Sequence, residues 1–105
     1  MTDLINEITK RIVDGYNPDK IILFGSYAYG NPAEGSDIDL FIVKDDSRRR
    51  SARFCEVRKM LRSFTGISIE PLVFTNEELK KRLEIEDDFV LEIMNKGRFL
   101  YERKQ

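Results

Sequence analysis

The stretch KIILFGSYAYGNPAEGSDIDLFIV, residues 20 to 43, decides the fold of this chain. It places two short apolar runs, residues 21–24 and 38–43, on either side of a polar loop. Both runs consist mainly of β-branched, aliphatic and aromatic residues and are bounded by turn residues, which predicts two buried strands. Gly30, Asn31, Pro32 and Gly35 predict a loop between them that lets the second strand return beside the first.

Two aspartates open the second predicted strand. Asp37 and Asp39 are two residues apart, so their side chains leave the same face of the strand, roughly 6.6 Å apart along the backbone. Paired carboxylates beside apolar surface repel each other and lose hydration unless a cation compensates them. Oxygen ligands suit hard ions such as Mg²⁺ or Mn²⁺, and the chain has no histidine. The alternative is that one aspartate caps a turn and the other is solvated at the strand end.

The turn after the first predicted strand has the composition of a phosphate-binding turn. Gly25 allows the backbone to approach a phosphate closely, and Ser26 offers a hydroxyl and an amide to its oxygens. The alternative is an ordinary strand-to-helix connection in which Ser26 is the N-cap. The predicted return of the second strand brings this phosphate-binding turn close to the metal-binding candidates Asp37 and Asp39.

These motifs resemble a known family. Gly25-Ser26, then Ala28-Tyr29-Gly30, then residues 36–40 (SDIDL) are similar to the GSxAxG...SDxDL signature of the minimal nucleotidyltransferases, small members of the DNA polymerase β-like superfamily. The order of strands and helices resembles that family for nearly the whole chain. The resemblance implies that Asp37 and Asp39, with a carboxylate on a later strand, hold two divalent ions and transfer a nucleotide from a triphosphate, with ATP as the implied donor.

The third carboxylate implied by the resemblance is Glu70. It interrupts the apolar run of residues 67–74, the third predicted strand, where a charge needs a physical reason. The family usually has an aspartate followed by an aliphatic residue here, whereas this chain has glutamate followed by Pro71. Proline removes a strand amide and therefore predicts an edge position or a local bend. Alternatively, Glu70 is an outward charge that protects an edge strand.

The remaining elements complete an α/β prediction. Helical periodicity predicts helices over residues 2–15, 51–65 and 87–95, the second with a core-facing stripe of Phe54, Val57, Leu61 and Phe64. Residues 75–78 (TNEE) form a capping box for another helix, and residues 98–103 read as a last strand. The expected fold is a small mixed sheet flanked by helices on both faces, in the order α-β-α/loop-β-α-β-α-α-β, within one nucleotidyltransferase domain over residues 1–105.

Composition limits the functional classes. The 105 residues carry 18 basic and 19 acidic side chains, so no strong attraction to nucleic acid is expected. The arginine run at residues 48–50 is predicted to lie at the far end of the sheet as a solvated helix start or a partner contact. Arg58 and Arg62 are better placed to reach phosphates, and solvated surface is the alternative for both. A single cysteine and the absence of a long apolar run predict a cytoplasmic protein with no disulfide and no membrane span.

The resemblance also implies a partner. Many minimal nucleotidyltransferases are antitoxins that neutralise an all-helical HEPN-domain protein, by complex formation or by adding adenylate to one of its tyrosines. Such a partner would supply the acceptor surface, so the predicted function is Mg²⁺-dependent transfer of AMP from ATP to a HEPN-domain protein, with a homo- or hetero-oligomer as the state. The alternatives are a non-catalytic module that only sequesters its partner, and nucleotide transfer to RNA or to a small molecule.

Overall fold

The computed structural model describes residues 2–30, 32–33 and 35–104, so Asn31 of the predicted loop lies outside the described residues. These residues form five helices and four strands: α1 (Thr2–Tyr16), β1 (Lys20–Phe24), α2 (Ser26–Tyr29), β2 (Ile38–Val43), α3 (Arg50–Met60), β3 (Ile69–Phe74), α4 (Asn76–Glu84), α5 (Asp88–Lys96) and β4 (Arg98–Glu102). None of the described helices has the length and apolar character that crossing a membrane requires.

The four strands form one mixed sheet in the order β3-β2-β1-β4. β1 pairs antiparallel with β2 and with β4, whereas β2 and β3 run parallel. The return of β2 beside β1 places Phe24 opposite Asp39, as the loop signal predicted. The predicted mixed α/β fold and its order of elements are confirmed.

Helices cover both faces of this sheet because the central strands are apolar on both sides. On one face, Ile8 and Ile12 of α1 and Val57 of α3 pack against residues such as Leu40. On the other face, the cluster contains Ile22 and Phe41 of the sheet together with the buried apolar residues of α4 and α5, which are Leu79, Val90 and Ile93. Each face buries its alternate strand residues, so the register of β2 is fixed on both sides.

The edge strand β3 explains why Pro71 is tolerated. The carbonyls of Ser68 and Phe74 accept hydrogen bonds from the amides of Ile38 and Lys44, at 2.8 and 2.9 Å, so the backbone groups of even-numbered residues of β3 face β2. Pro71 is odd-numbered, and the amide it lacks would point to the open edge. The register continues through Pro71 without a shift, so its expected edge position is confirmed and no bend follows from it.

Two arginines of α3 close the same open edge. Arg53 donates from Nη1 to the carbonyl of Val73 at 2.9 Å, and Arg58 donates from Nη1 to the carbonyl of Ile69 at 3.3 Å. These carbonyls would otherwise be free to pair with another strand.

Two predicted boundaries were wrong. α3 ends at Met60 and not at Thr65, because residues 61–63 form turns in which the Leu61 amide bonds to Arg58. Serine, threonine and glycine fill residues 63–66 apart from Phe64, and these residues are poor helix formers. β3 begins at Ile69 and not at Ile67. In the core-facing stripe of the helix predicted for residues 51–65, Val57 and Leu61 are buried, whereas Phe54 and Phe64 are only partly buried.

Candidate active site

Three carboxylates lie at one end of the sheet. Asp39 is the second residue of β2, Asp37 directly precedes that strand, and Glu70 on β3 is the register partner of Asp39. Adjacent strands are about 4.8 Å apart, and register partners project from the same face. The structure therefore places the sequence-predicted Asp37, Asp39 and Glu70 together.

Asp39 is the most strongly perturbed of the three. Partial burial raises the pKa of Asp39 above its usual range, and the charges of Asp37 and Glu70 raise it further. A carboxylate in these surroundings is electrostatically unfavourable unless positive charge arrives. A cation that binds here removes a cost that the folded chain already bears.

The Gly25 turn lies directly against Asp39. Gly25 has a φ of 75°, and a Cβ added to it would meet Asp39 Oδ2 at 2.3 Å. Only glycine allows this approach, because the backbone is left-handed and a side chain has no room. The turn and the carboxylate are therefore direct neighbours, and their shared role in one site stays a prediction.

Ser26 begins α2 and is exposed. The amides of Ala28 and Tyr29 bond to the carbonyl of Gly25 at 3.0 and 3.1 Å, and Gly25 is the N-cap. No side-chain hydrogen bond caps this helix, so the alternative in which Ser26 is the N-cap is wrong. Its hydroxyl is not used as a cap and can meet a ligand.

Glu70 is held by its neighbours on the edge of the sheet. Its Oε1 lies 3.5 Å from Arg58 Nη1 and accepts a hydrogen bond of 3.4 Å from Ser68 Oγ. Within residues 2–30, 32–33 and 35–104, no three histidine, cysteine, aspartate or glutamate side chains are placed so that they could hold one metal ion. The chemistry of the donors nevertheless fits a hard divalent cation, because Asp37, Asp39 and Glu70 offer only oxygen atoms.

Of the aromatic side chains near Asp39, Tyr29 belongs to the sequence motif, whereas Phe24 and Phe89 were not predicted to contribute to the site. Phe24 makes an edge-to-face contact with Phe89 of α5, with ring centroids 5.7 Å apart. Phe89 is 51% exposed and Tyr29 is 45% exposed. Burial and the Glu92 carboxylate raise the pKa of Tyr29 above its usual range, which places α2 next to α5. No local pattern reports these contacts, since they join segments distant in the chain.

The arginine run lies away from this site, as predicted. Arg48 pairs with Asp46 at 2.7 Å and with Glu56 at 3.1 Å, and Arg50 pairs with Glu78 at 3.5 Å. Asp39 lies at the start of β2, whereas Asp46 lies three residues after the end of that strand. These arginines stabilise the far end of the molecule through carboxylates of the same chain.

Comparison with known proteins agrees with this geometry. Residues 6–105 match the family model described as "Polymerase beta, Nucleotidyltransferase". A Methanocaldococcus jannaschii protein provisionally named a protein adenylyltransferase is 39% identical over 82 residues, 78% of this chain and 77% of that protein. A second such protein from that organism is 28% identical over 109 residues, 98% of this chain and 73% of its own length.

Solved structures show the same fold. A provisionally named nucleotidyltransferase from Sulfolobus solfataricus has a TM-score of 0.68 at 21% identity, over 98% of this chain and 81% of that one. A chain from the complex of tri-AMPylated Shewanella oneidensis HEPN toxin with MNT antitoxin has a TM-score of 0.60 at 20% identity. The match covers 98% of the present chain and 74% of the chain in that complex. By the match over residues 6–105, the chain belongs to the polymerase beta-like nucleotidyltransferase family.

Proposed function

We propose that this chain transfers AMP from ATP to a tyrosine hydroxyl of a HEPN-domain partner protein. The observation that carries the proposal is the convergence of Asp37, Asp39 and Glu70 beside the Gly25 turn. The provisional names of the M. jannaschii relatives, protein adenylyltransferases, support a protein as the acceptor. The likeness to a complex of HEPN toxin with MNT antitoxin supports the choice of partner.

Each site residue has a role that its position allows. Asp37 and Asp39 would hold two Mg²⁺ ions, or Mn²⁺, with Glu70 as a further ligand. When bound, the ions would neutralise the triphosphate and polarise the acceptor oxygen. Gly25 would let its backbone approach the outer phosphates, and the free hydroxyl of Ser26 would donate to them.

The reaction needs no protein nucleophile. The tyrosine oxygen forms a bond to the α-phosphorus while the bond from that phosphorus to the bridging oxygen breaks, so pyrophosphate leaves. Glu70 can accept the proton of the tyrosine hydroxyl, because a carboxylate on the edge strand is accessible to an incoming side chain. Asp37 and Asp39 keep the reacting groups in place.

The test is an adenylylation assay. The purified chain is mixed with Mg²⁺, ATP labelled at the α-phosphate, and the HEPN-domain protein encoded next to its gene. We expect label on a tyrosine of that protein, identified by mass spectrometry, and loss of the label with Asp37→Asn combined with Asp39→Asn. If the intact chain neither labels nor binds its neighbour, the proposal is refuted.

A second candidate function is sequestration without catalysis. It is favoured by the absence, among the described residues, of three side chains placed to hold one metal ion. The same double variant separates the two candidates in a growth assay with the HEPN-domain protein. Neutralisation that survives both substitutions indicates sequestration, whereas its loss with intact partner binding indicates catalysis.

A further inference from the structure

A groove of about 460 Å³ lies between α3 and the start of β3, outside the carboxylate site. Arg58, Lys59 and Arg62 supply its positive charge. Leu61, Phe64 and Ile67 supply its apolar surface. Its volume is in the range of sites that bind small molecules or peptide segments.

The chain itself balances only part of the charge of this groove, because Arg58 pairs with Glu70 at 3.5 Å. The lining contains no acidic residue. Lys59 and Arg62 are exposed, and neither takes part in an ion pair within the described part of the chain. Other cations, such as Lys10 and Arg48, do pair with carboxylates of this chain. The groove is therefore a local positive surface on a chain whose net charge is -1.

The groove lies on the α3 face of the sheet and reaches the candidate active site around the open edge of β3, where Arg58 meets Glu70. Arg58 and Ser68 line the groove, and both also contact Glu70, at 3.5 and 3.4 Å. Glu70 is the register partner of Asp39 on the next strand. A segment that occupies the groove can therefore present a side chain at Glu70, where the proposed function needs the acceptor hydroxyl.

We infer that this groove docks the acceptor protein through a segment that combines acidic and apolar residues near the modified tyrosine. The inference rests on the proposed function. The positive rim complements acidic residues, and the apolar wall formed by Phe64 and Ile67 gives aliphatic side chains a surface to cover. The phosphate backbone of an RNA would bind the positive charge but would leave the apolar wall uncovered. The names of the relatives, protein adenylyltransferases, also favour a protein.

The test measures docking without catalysis. The probe is a fluorescent peptide with one tyrosine between glutamate and leucine residues, and its counterpart has lysine in place of glutamate. Fluorescence anisotropy without metal or nucleotide compares the intact chain with Lys59→Glu/Arg62→Glu. The matched control is Lys80→Glu/Lys104→Glu, which reverses two exposed lysines that lie outside the groove and, like Lys59 and Arg62, take part in no ion pair within the described part of the chain.

We expect the acidic peptide to bind the intact chain and the control equally, and the groove variant to bind at least about tenfold more weakly. Equal binding of the lysine peptide, equal loss in the control, or no binding to the intact chain overturns the inference. A single-stranded RNA oligonucleotide that binds the groove while the acidic peptide does not also overturns it.

Cys55 provides a second measurement that needs no substitution. It is the single cysteine of the chain, it is exposed, and it lines the groove. A benzophenone maleimide attached to Cys55 should crosslink the acidic peptide on illumination and leave the lysine peptide unmodified. Crosslinking of both peptides, or of neither, contradicts docking by charge.

Failure of the inference can be told from failure of the proposed function. In the adenylylation assay, Lys59→Glu alone, which leaves Arg62 and its predicted reach to the phosphates intact, should raise the KM for the acceptor by about tenfold and leave kcat and ATP affinity unchanged. Transfer with an unchanged acceptor KM refutes the docking groove and leaves the function standing. Binding of the acidic peptide by a chain that never transfers AMP refutes the function and leaves the groove standing.

Discussion

Gly25→Ala tests whether the turn after β1 and Asp39 form one site. The added Cβ would meet Asp39 Oδ2 at 2.3 Å, whereas ordinary contact begins at 3.4 Å. The carboxylate must therefore move by about 1 Å or rotate away. The turn itself must keep a φ of 75° with a side chain present.

The two effects have different sizes. A left-handed alanine costs roughly 1–2 kcal/mol, which lowers the melting temperature by about 4–16 °C for a chain of this length. A reacting group displaced by about 1 Å costs about 100-fold in rate. We therefore expect a folded protein whose transfer activity falls by about two orders of magnitude.

The measurement pairs thermal unfolding with the adenylylation assay and with calorimetric titration of Mg²⁺ and ATP. Gly66→Ala is the matched control, because Gly66 has a φ of 84° and a Cβ there would have nothing within 4 Å. It carries the backbone strain without the contact to Asp39. The control should lose comparable stability and keep its affinity for the nucleotide.

Two results would refute this reasoning. If Gly25→Ala binds ATP and transfers AMP as well as the intact chain, the close approach to Asp39 has no functional role. If Gly66→Ala loses nucleotide binding to the same extent, the loss in Gly25→Ala reflects strain and not the contact with the carboxylate.

Three further predictions concern stability. Asp39→Asn removes a charge that burial and the charges of Asp37 and Glu70 disfavour, so the melting temperature should stay the same or rise while AMP transfer is lost. A fall of the melting temperature by about 4 °C, which corresponds to a loss of about 1 kcal/mol in stability, would contradict this. Arg53→Met removes the donors that Arg53 supplies to the Glu78 carboxylate and the Val73 carbonyl, while the Thr75 amide and Arg50 still contact Glu78, and should lower the free energy of unfolding in urea by about 1–3 kcal/mol, more than Arg53→Lys does. Hydrogen bonds from Arg53 lower the pKa of Glu78 from 4.5 to about 2. The ionised Glu78 carboxylate therefore stabilises the folded state fully above pH 4.5, and this stabilisation is lost as the pH falls through 2. It amounts to about 1–3 kcal/mol after screening. Glu78→Gln should lack this part of the pH dependence of the free energy of unfolding.

Local patterns predicted the elements that depend on nearby residues. The capping box of α4 is present as predicted: the Glu78 amide donates to Thr75 Oγ1 at 3.1 Å, and the Thr75 amide donates to Glu78 Oε1 at 2.9 Å. β2 has the predicted bounds of residues 38–43 because its apolar run is bordered by polar residues on both sides. Such elements are specified within a few residues of sequence.

The errors arise where distant contacts decide. Periodicity assigned Phe54 to the core, yet Arg53 is the residue of that turn that is buried, with 5% of its surface exposed. Its guanidinium reaches the Val73 carbonyl and Glu78, 20 and 25 residues away, and these bonds compensate its burial. A hydrophobic pattern cannot report a buried charge whose partners are on other elements.

The candidate site divides in the same way. The alternation of Asp37 and Asp39 and the glycine of the turn were visible in the sequence, because both are local. The assignment of Glu70 as the third carboxylate came from the family resemblance, since only the parallel pairing of β2 with β3 brings it beside Asp39. The ion pair of Glu70 with Arg58 and the groove beyond it depend on the packing of α3 and were not predicted.

The ion pair of Glu70 with Arg58 is also too weak to decide between catalysis and sequestration. Their side chains are 44% and 48% exposed and the closest atoms are 3.5 Å apart, so the pair contributes about 1 kcal/mol or less. Arg58 also lines the groove, so an acidic residue docked there competes with Glu70 for the same guanidinium. Docking of an acidic acceptor would thereby release Glu70 toward Asp39 at the moment when the acceptor hydroxyl arrives.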